Sequence, residues 1–410
     1  MASISATAPL RVRRFRWYFA SRSINLIGNT MAPVALAFAV LGLDGSPMAL
    51  AGVLAARTVP LVVFLLVGGV IADRWGRATV ILGSNVVSGL SQAATAALLL
   101  SGSAHLWELV VLAAVNGTAA AAGTPAMNGL MPQLVPQSML QEANALTSLT
   151  RAVLAILGPT LGGVFVVTVG AGWALGLDAL TWLAAAALVV PVRVPIGPGS
   201  TRAPMLAELR DGWEFFRSTT WLWTIVGAFA ILNALYEGAF ITLGPVRAAA
   251  TSLGAHGWGL LLSAQGVGVL VATLALMRWR LERPLVFGML GCALFGLPIL
   301  MLGATTSLAP LLVAGFVSGL GIQTYSLAWS LALQEHIPGH LLSRASSYDS
   351  LGSFAAIPVG QLVLGRLGQQ YGVAEVILVA GACYIAVSLL TLVSPTVREM
   401  ARVPAPAQAG

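Results

Sequence analysis

The chain has 410 residues, of which 58% are hydrophobic and only 9% are charged. Soluble proteins carry about 25% charged residues, so this composition indicates a protein that is covered by lipid. All 21 basic residues are arginines, which excludes a Walker A lysine and a Schiff-base lysine. The net charge is +7, but the arginines form no single patch, and we expect no nucleic-acid partner.

The chemistry-bearing residues do not indicate an enzyme. Cys292 and Cys383 lie inside apolar runs and are interpreted as packing residues. The four histidines fall in or near loops without ligand partners, and there is no catalytic triad pattern. We therefore expect no catalytic residue, no metal and no cofactor. The lack of a phosphate-binding loop also excludes an ATP-driven pump within this chain.

Six apolar runs occupy the first half of the chain. Several arginines precede the first run, which continues to about Leu43 and is long enough to cross a bilayer, since a span takes about 20 residues. It is too long for a signal-peptide core, so we expect a retained helix. The next five runs cover about 48–72, 79–101, 107–126, 145–169 and 172–192.

Residues 193–219 form the one long polar stretch. Its first part is rich in proline and glycine, and its second part repeats apolar residues at spacings of three and four: Leu206, Leu209, Trp213 and Phe216. This spacing predicts an amphipathic helix on the inner membrane surface. Six more runs follow, at about 221–244, 257–277, 285–303, 308–330, 348–369 and 373–394. The predicted organisation is an N-terminal six-helix bundle over 1–192, a cytoplasmic linker over 193–219, and a C-terminal six-helix bundle over 220–410.

The arginines are distributed unequally between the two predicted sides of the membrane. Most of them fall in segments assigned to the cytoplasm, whereas Arg247 and Arg366 fall near the outside. Because cytoplasmic loops carry an excess of arginine, we expect both termini in the cytoplasm and the protein in the plasma (inner) membrane.

The two halves resemble each other in sequence. The segment that begins at Gln133 and leads into the fifth span has a counterpart at Gln334 before the eleventh. The same spacing aligns Gly158 with Gly360 and Gly163 with Gly365. Two six-span halves related by a repeat are typical of transporters that handle substrate near the midplane.

A charged turn between the second and third spans carries the most specific motif. Its key positions are Gly69, Asp73, Arg74, Gly76 and Arg77. This pattern resembles the conserved loop between the second and third helices of the major facilitator superfamily; Ala78 departs from the basic residue common at the last position.

A second motif favours export. The fifth span carries Gly158, Pro159, Gly162 and Gly163 in an arrangement similar to the Gly-Pro-x-x-Gly-Gly motif of proton-driven exporters in that superfamily. Residues 125–144 and the start of the sixth span resemble the drug:proton antiporter branch that includes macrolide efflux and siderophore export proteins. An arginine common in the fourth helix of such exporters is missing, since residues 115–119 carry no charge.

The resemblance implies an all-α integral membrane protein of twelve helices in two six-helix bundles. It further implies a secondary active exporter of drug-like, lipophilic or secondary-metabolite molecules that works by alternating access with a proton as coupling ion. The expected partners are a small-molecule substrate and the lipid bilayer, and the expected state is a monomer. Two alternatives stay open, namely an importer of a small organic solute and a non-transporting membrane sensor or scaffold. The sparse polar residues in the spans favour a hydrophobic or amphipathic substrate.

The charged turn is interpreted as a gate latch. Asp73 is expected to pair with Arg77 or to face the start of the eleventh helix, where Ser346 and Ser347 are possible caps. The alternative is that Arg74 and Arg77 only anchor the topology.

Polar groups within the spans are the remaining site candidates, because such groups are costly in lipid. Arg57 lies about 14 Å into the second span at 1.5 Å per residue, and Glu237 is the best-placed carboxylate for protonation, one turn from Asn233. A structural role is favoured for Arg151, Asp178 and Asp349. Other substrate or path candidates are Asn25, Asn29, Gln92 and Tyr325.

Overall fold

A computed structural model describes residues 7–192, 216–279, 281–337, 349 and 351–400. Throughout these ranges the secondary structure is helical, with no strand. The predicted amphipathic helix after residue 204, except its last residues Phe216 and Arg217, and the predicted caps Ser346 and Ser347 lie outside the described residues.

The first half of the chain folds into six long helices. Short turns separate them, and 3₁₀ turns at Met131–Gln133 and Gln137–Met139 lead into the fifth. The helices are α1 (Arg13–Leu43), α2 (Pro47–Trp75), α3 (Arg77–Ser101), α4 (Leu106–Leu130), α5 (Leu140–Thr168) and α6 (Ala171–Val189).

The second half has more helical segments because two of its spans are interrupted. Residues 220–249 contain two α-helices joined by a π-helical segment, and residues 284–304 contain two helices that meet next to Pro298. The segments are α7 (Thr220–Leu235), the π segment (Tyr236–Thr242), α8 (Leu243–Ala249), α9 (Gly254–Leu276), α10 (Pro284–Phe295), α11 (Leu297–Ala304), α12 (Leu308–His336), α13 (Ile357–Tyr371), α14 (Val373–Leu390) and α15 (Pro395–Arg398).

Eleven helical stretches of the described residues are long and apolar enough to cross a membrane. They include one helix or helix pair for every predicted span except the third. The third is α3, whose 25 residues correspond to about 37 Å of α-helix. Its length therefore suffices, but its polar side chains lower its hydropathy.

Most polar side chains of α3 face the protein, whereas several of its apolar ones face outward. Leu90 and Val87 are 59% and 41% exposed. The buried polar residues recur at spacings of three and four, which places them on one helix face; they are Ser84, Asn85, Ser88, Ser91 and Thr95. This face packs mainly against α6 and α4, so α3 brings hydrogen-bonding groups into the interior of the first half.

Contacts divide the chain into two compact units. Unit 1 comprises residues 1–200 and 245–263, and unit 2 comprises residues 201–244 and 264–410. The predicted functional halves, 1–192 and 220–410, stay a prediction.

Glycines allow equivalent helices to approach closely within each unit. In unit 1, Gly158 of α5 lies against Thr30 of α1, and a Cβ at this position would overlap the threonine side chain. In unit 2, the aligned Gly360 of α13 lies against the backbone of Ala234 in α7. Glycine at a helix interface permits this approach because it has no side chain.

Candidate functional site

Unit 1 contains a small polar cavity between its helices. Its polar lining includes Asn29 of α1, Arg57 of α2, Gln92 of α3 and Asn116 of α4. The cavity has a volume of about 20 Å³, which is enough for about one water molecule. The predicted candidates Arg57, Asn29 and Gln92 are therefore brought together at one place in unit 1.

Asp178 of α6 is attached to this cavity through Gln92. The Gln92 Nε2 group donates a hydrogen bond of 2.6 Å to Asp178 Oδ2. Asp178 is only 1% exposed, and Arg57 lies close enough to interact electrostatically with its carboxyl group. The arrangement places one acidic and one basic side chain next to a cavity in the membrane interior.

A second polar cavity lies further along α1. Its lining includes Arg22 and Asn25 of α1 and Asn85 of α3. Asn29 Nδ2 donates to Asn25 Oδ1 at 3.1 Å, and these two residues line different cavities. The asparagine pair thus joins the two polar regions of unit 1, whereas Arg151 of α5 is exposed and lines neither cavity.

In unit 2, Glu237 lies within the π segment that interrupts the seventh span. Its Oε2 atom accepts a hydrogen bond of 3.3 Å from Gln361 of α13, and its backbone carbonyl accepts one of 2.8 Å from Thr242. The next residue, Gly238, approaches the backbone of Gly360. Because π-helical turns occur frequently at functional sites, this local geometry adds a structural reason to regard Glu237 as a candidate.

Asn233, like Glu237, forms a hydrogen bond with the eleventh span. Its Nδ2 group donates to the carbonyl of Ser353 at 2.9 Å, eight residues before Gln361. The nearby Asp349 accepts from Trp329 Nε1 at 3.0 Å. Asn233 and Glu237 therefore both form hydrogen bonds with residues of the eleventh span.

Aromatic rings form a continuous stack in unit 2. The ring centroids of Phe229 and Tyr325 are 4.3 Å apart, and those of Tyr325 and Trp329 are 6.4 Å apart. Trp221 extends the stack with an edge-on contact of 6.0 Å to Trp329.

The charged turn connects α2 to α3 through Gly76. This residue has φ +86° and ψ 130°, a conformation that favours glycine. Arg77 begins α3 and donates a hydrogen bond to the carbonyl of Gly129 near the end of α4, where helix carbonyls lack intrahelical partners. Within unit 1, Gly76 thus forms the turn between α2 and α3, and Arg77 links the start of α3 to the end of α4.

Arg74 is exposed near the end of α2. Gly69 and Asp73 also lie in α2, but their surroundings fall outside the described side chains, so the latch stays a prediction.

The fifth-span motif lies at two helix contacts inside unit 1. Gly158 and Gly162 face α1 at Thr30 and Met31, whereas Gly163 faces the backbone of Ala255. The carbonyl of Pro159 lies against Gly259. The motif therefore brings α5 close to α1 on one side and to residues 255–259 on another.

Two amides prove to be partners of the candidate carboxylates. Gln92 was a sequence candidate as a polar group at membrane depth, without an assigned partner. Gln361 was not a candidate, although it is a polar residue in an apolar run, which is the same signal that identified Gln92.

Comparison with known families covers nearly the whole chain. Residues 4–407 match the family described as transmembrane secretion effector, a group within the major facilitator superfamily.

Curated relatives match at low identity but over most of their length. The chain is 25% identical to the uncharacterized MFS-type transporter YfiS of Bacillus subtilis, over 93% of each chain. It is 26% identical to the enterobactin exporter EntS of Salmonella choleraesuis, over 92% of this chain and 91% of the relative. It is also 25% identical to the multidrug efflux pump Tap of Mycolicibacterium fortuitum, over 91% and 93%.

Solved structures show the same fold. The nucleoside transporter NupG matches with a TM-score of 0.73 at 11% identity, over 93% of this chain and 98% of the other. A POT family transporter in complex with 5-aminolevulinic acid matches with a TM-score of 0.73 at 13% identity, over 93% and 96%. The predicted all-α major facilitator fold is thereby confirmed. The chain is a multi-pass membrane transporter rather than an enzyme, and it belongs to the transmembrane secretion effector family of the major facilitator superfamily.

Proposed function

We propose that the protein is a secondary active exporter of lipophilic or amphipathic small molecules, driven by protons through alternating access. The observation that carries this proposal is the match of residues 4–407 to the secretion effector family, together with relatives that are exporters. The fifth-span glycine motif supports the same direction of transport.

The aromatic side chains of unit 2 support a proposal for the substrate class. Phe229, Tyr325, Trp329 and Trp221 bring their rings together in unit 2, where Tyr325 and Trp221 are partly exposed and the other two are buried. Aromatic rings bind apolar and flat groups through large contact areas and defined geometry. We therefore propose Tyr325 as a substrate contact, and we expect drug-like or secondary-metabolite compounds with ring systems rather than sugars.

Glu237 is proposed as the coupling carboxylate. It is half-buried, its carboxylate accepts from an amide that stays neutral, and the π segment holds it at a break in the seventh span. A proton on Glu237 removes a negative charge from the membrane interior, which lowers the cost of moving this region through the low-dielectric core. Substrate binding and proton release would then alternate during the transport cycle.

The gate and the topology complete the mechanism. We propose that the α2–α3 turn faces the cytoplasm with both termini, because arginine is enriched on that side of membrane proteins. Arg77 donates from this turn to the Gly129 carbonyl of α4, and we propose Asp73 of the same motif as the latch residue. We propose Arg57, Asn25 and Asn29 as polar groups along the path in unit 1.

Transport in inverted membrane vesicles tests the proposal. Vesicles that contain the full chain are given an inwardly acidic gradient and a panel of fluorescent lipophilic compounds. We expect accumulation of at least one compound that disappears when a proton ionophore collapses the gradient. Uptake of compounds into intact cells, with none accumulated in inverted vesicles, would instead support an importer. Absence of transport in both systems would support the sensor or scaffold alternative.

A further inference from the structure

Asp178 is the most deeply buried carboxyl group in the described spans and is not used by the proposed coupling at Glu237. Its Oδ2 atom accepts from Gln92 at 2.6 Å, whereas its Oδ1 atom makes no hydrogen bond of good geometry, although the Thr181 and Trp182 side chains lie near enough for a weak one to the carboxyl group. A carboxylate that only joins two helices is expected to have both oxygens satisfied, because a dry, charged and unpaired oxygen is destabilising. The unpaired Oδ1 atom therefore needs another explanation.

The space around Oδ1 is shared with a second oxygen. A Cβ built at Gly28 would overlap both Asp178 Oδ1 and Thr181 Oγ1, so both atoms lie in the space that this glycine leaves open. The Thr181 hydroxyl donates its only hydrogen to the carbonyl of Asp178 at 2.7 Å, and its oxygen is left as an acceptor. Two acceptors thus lie close together, and a hydrogen on Oδ1 would have an acceptor beside it.

We propose that Asp178 is a second proton-binding carboxyl group, which carries its proton on Oδ1 inside unit 1. A metal ion does not suit this place, because the nearby groups are the N–H donors of Gln92 and the positive charge of Arg57. The adjoining cavity also has room for only about one water molecule. The proton site rests on the structure alone, whereas its part in transport rests on the proposed function.

The other charged groups of the surrounding helices lie away from Asp178. Helices α1, α3 and α5 pack against α6. Ser21 donates to the carbonyl of Ala185, which places neighbouring Arg22 about two turns, or about 10 Å, from Asp178 along α6. The remaining ionisable groups of these helices lie toward the same end or beyond it; they are Arg13, Arg14, Arg16, Tyr18, Arg77, Glu142 and Arg151. Arg57 of α2 is accordingly the charged neighbour that responds directly to the loss of the proton.

Polar groups extend from this site toward the Arg22 end of α1. Asn29 lines the same cavity as Gln92, and it donates to Asn25, which lines the second cavity with Arg22 and Asn85. Asn25 Nδ2 and Ser88 Oγ are buried without hydrogen-bond partners, so both can pair with a transient water. The proposed route of the proton inside unit 1 follows the Asn29–Asn25 pair between the two cavities.

Carbodiimide labelling tests the proton site without substrate, since the reagent attacks protonated carboxyl groups in apolar surroundings. The chain contains no lysine, and cleavage at arginine gives peptide 152–193, whose only acidic side chain is Asp178, and peptide 218–247, whose only one is Glu237. We expect an adduct on peptide 152–193 near neutral pH that declines about tenfold per pH unit once the site deprotonates. The matched variant Asp178→Asn keeps an acceptor for Gln92 and is expected to lose this adduct only.

Infrared difference spectra between the wild type and Asp178→Asn detect a protonated carboxyl group directly. They therefore test the proton site even if the reagent cannot reach it. A protonated-carboxyl band that disappears in the variant supports the proposal, and its absence together with an unlabelled peptide 152–193 overturns it. Labelling of Asp178 without gradient-driven accumulation would instead contradict the export proposal and leave the proton site standing. Gradient-driven accumulation without either signal from Asp178 would overturn the proton site alone.

Discussion

The two membrane carboxyl groups, Asp178 in unit 1 and Glu237 in unit 2, have similar partners but different backbones. Each accepts a hydrogen bond from a glutamine of a neighbouring helix, at 2.6 Å for Asp178 and 3.3 Å for Glu237. Asp178 is 1% exposed and lies in a regular α-helix, whereas Glu237 is half-buried and lies in the π segment.

The difference indicates that the two carboxyl groups exchange protons at different rates. The short hydrogen bond and the full burial of Asp178 favour a bound proton that exchanges slowly with solvent. A longer hydrogen bond in an interrupted helix favours exchange with substrate or solvent. Each of the following variants is chosen to contradict or refine this distinction.

The largest effect is expected for Glu237→Gln. The variant keeps a hydrogen-bonding partner for Gln361 but cannot bind and release a proton, so we expect gradient-driven accumulation to fall by about tenfold or more. Vesicle transport with and without the gradient measures the effect, and Glu399→Gln, at an exposed carboxylate, is the matched control. Unchanged accumulation would remove Glu237 as the coupling group.

Gln92→Leu is expected to act on stability through Asp178. It removes the donor to Oδ2 and leaves this oxygen of a buried carboxyl group without its partner, which typically costs about 1–3 kcal/mol. Thermal unfolding in detergent should show a lower Tm. In the Asp178→Asn background, Gln92→Leu should lower the Tm by less than it does in the wild-type background, because the buried acidic group is gone. An equal or greater loss of Tm would contradict a role of Gln92 as the partner of Asp178.

The aligned glycines should respond unequally to alanine. Gly360 meets only backbone atoms of Ala234, whereas Gly158 meets the Cβ of Thr30 and its hydroxyl, of which the hydroxyl alone can rotate away. Overpacking typically costs about 1–3 kcal/mol, and we expect the greater loss of Tm for Gly360→Ala. Gly227→Ala is the control, since its Cβ meets nothing within 4 Å. Equal effects would show that the two helix contacts tolerate change to the same degree.

The smallest effect is expected for Arg77→Gln. This change shortens the donor that reaches the Gly129 carbonyl, and the loss of one such bond costs about 0.5–1.5 kcal/mol. Thermal unfolding checks the stability, and Arg74→Gln, at an exposed arginine, is the control. A much larger loss of transport than of stability would support the latch over a simple brace.

Much of the fold could be predicted because hydropathy and turn residues specify it locally. The run ending near Leu43 and the turn before Pro47 predict the end of α1 and the start of α2 within a few residues. The α2–α3 turn was recognisable because Gly76 has a backbone conformation that favours glycine.

The features that the sequence did not predict depend on long-range contacts. Nothing in residues 236–242 predicts a π segment, since its glycine only becomes informative once Gly360 of a distant helix lies against it. Likewise, Asp178 meets Gln92 across 86 residues of chain. We favoured a structural role for Asp178 from sequence, because neither its unpaired oxygen nor the space beside Gly28 can be read from residue order.

The π segment has a rotational consequence for the seventh span. Its i→i+5 hydrogen bonds accommodate extra backbone in one turn, and an α-helix turns about 100° per residue. Conversion of Tyr236–Thr242 to α-helical geometry would therefore rotate the residues that follow this segment about the helix axis. The hydrogen-bond pattern of the π segment thus sets the rotational position of the side chains that follow it in the seventh span.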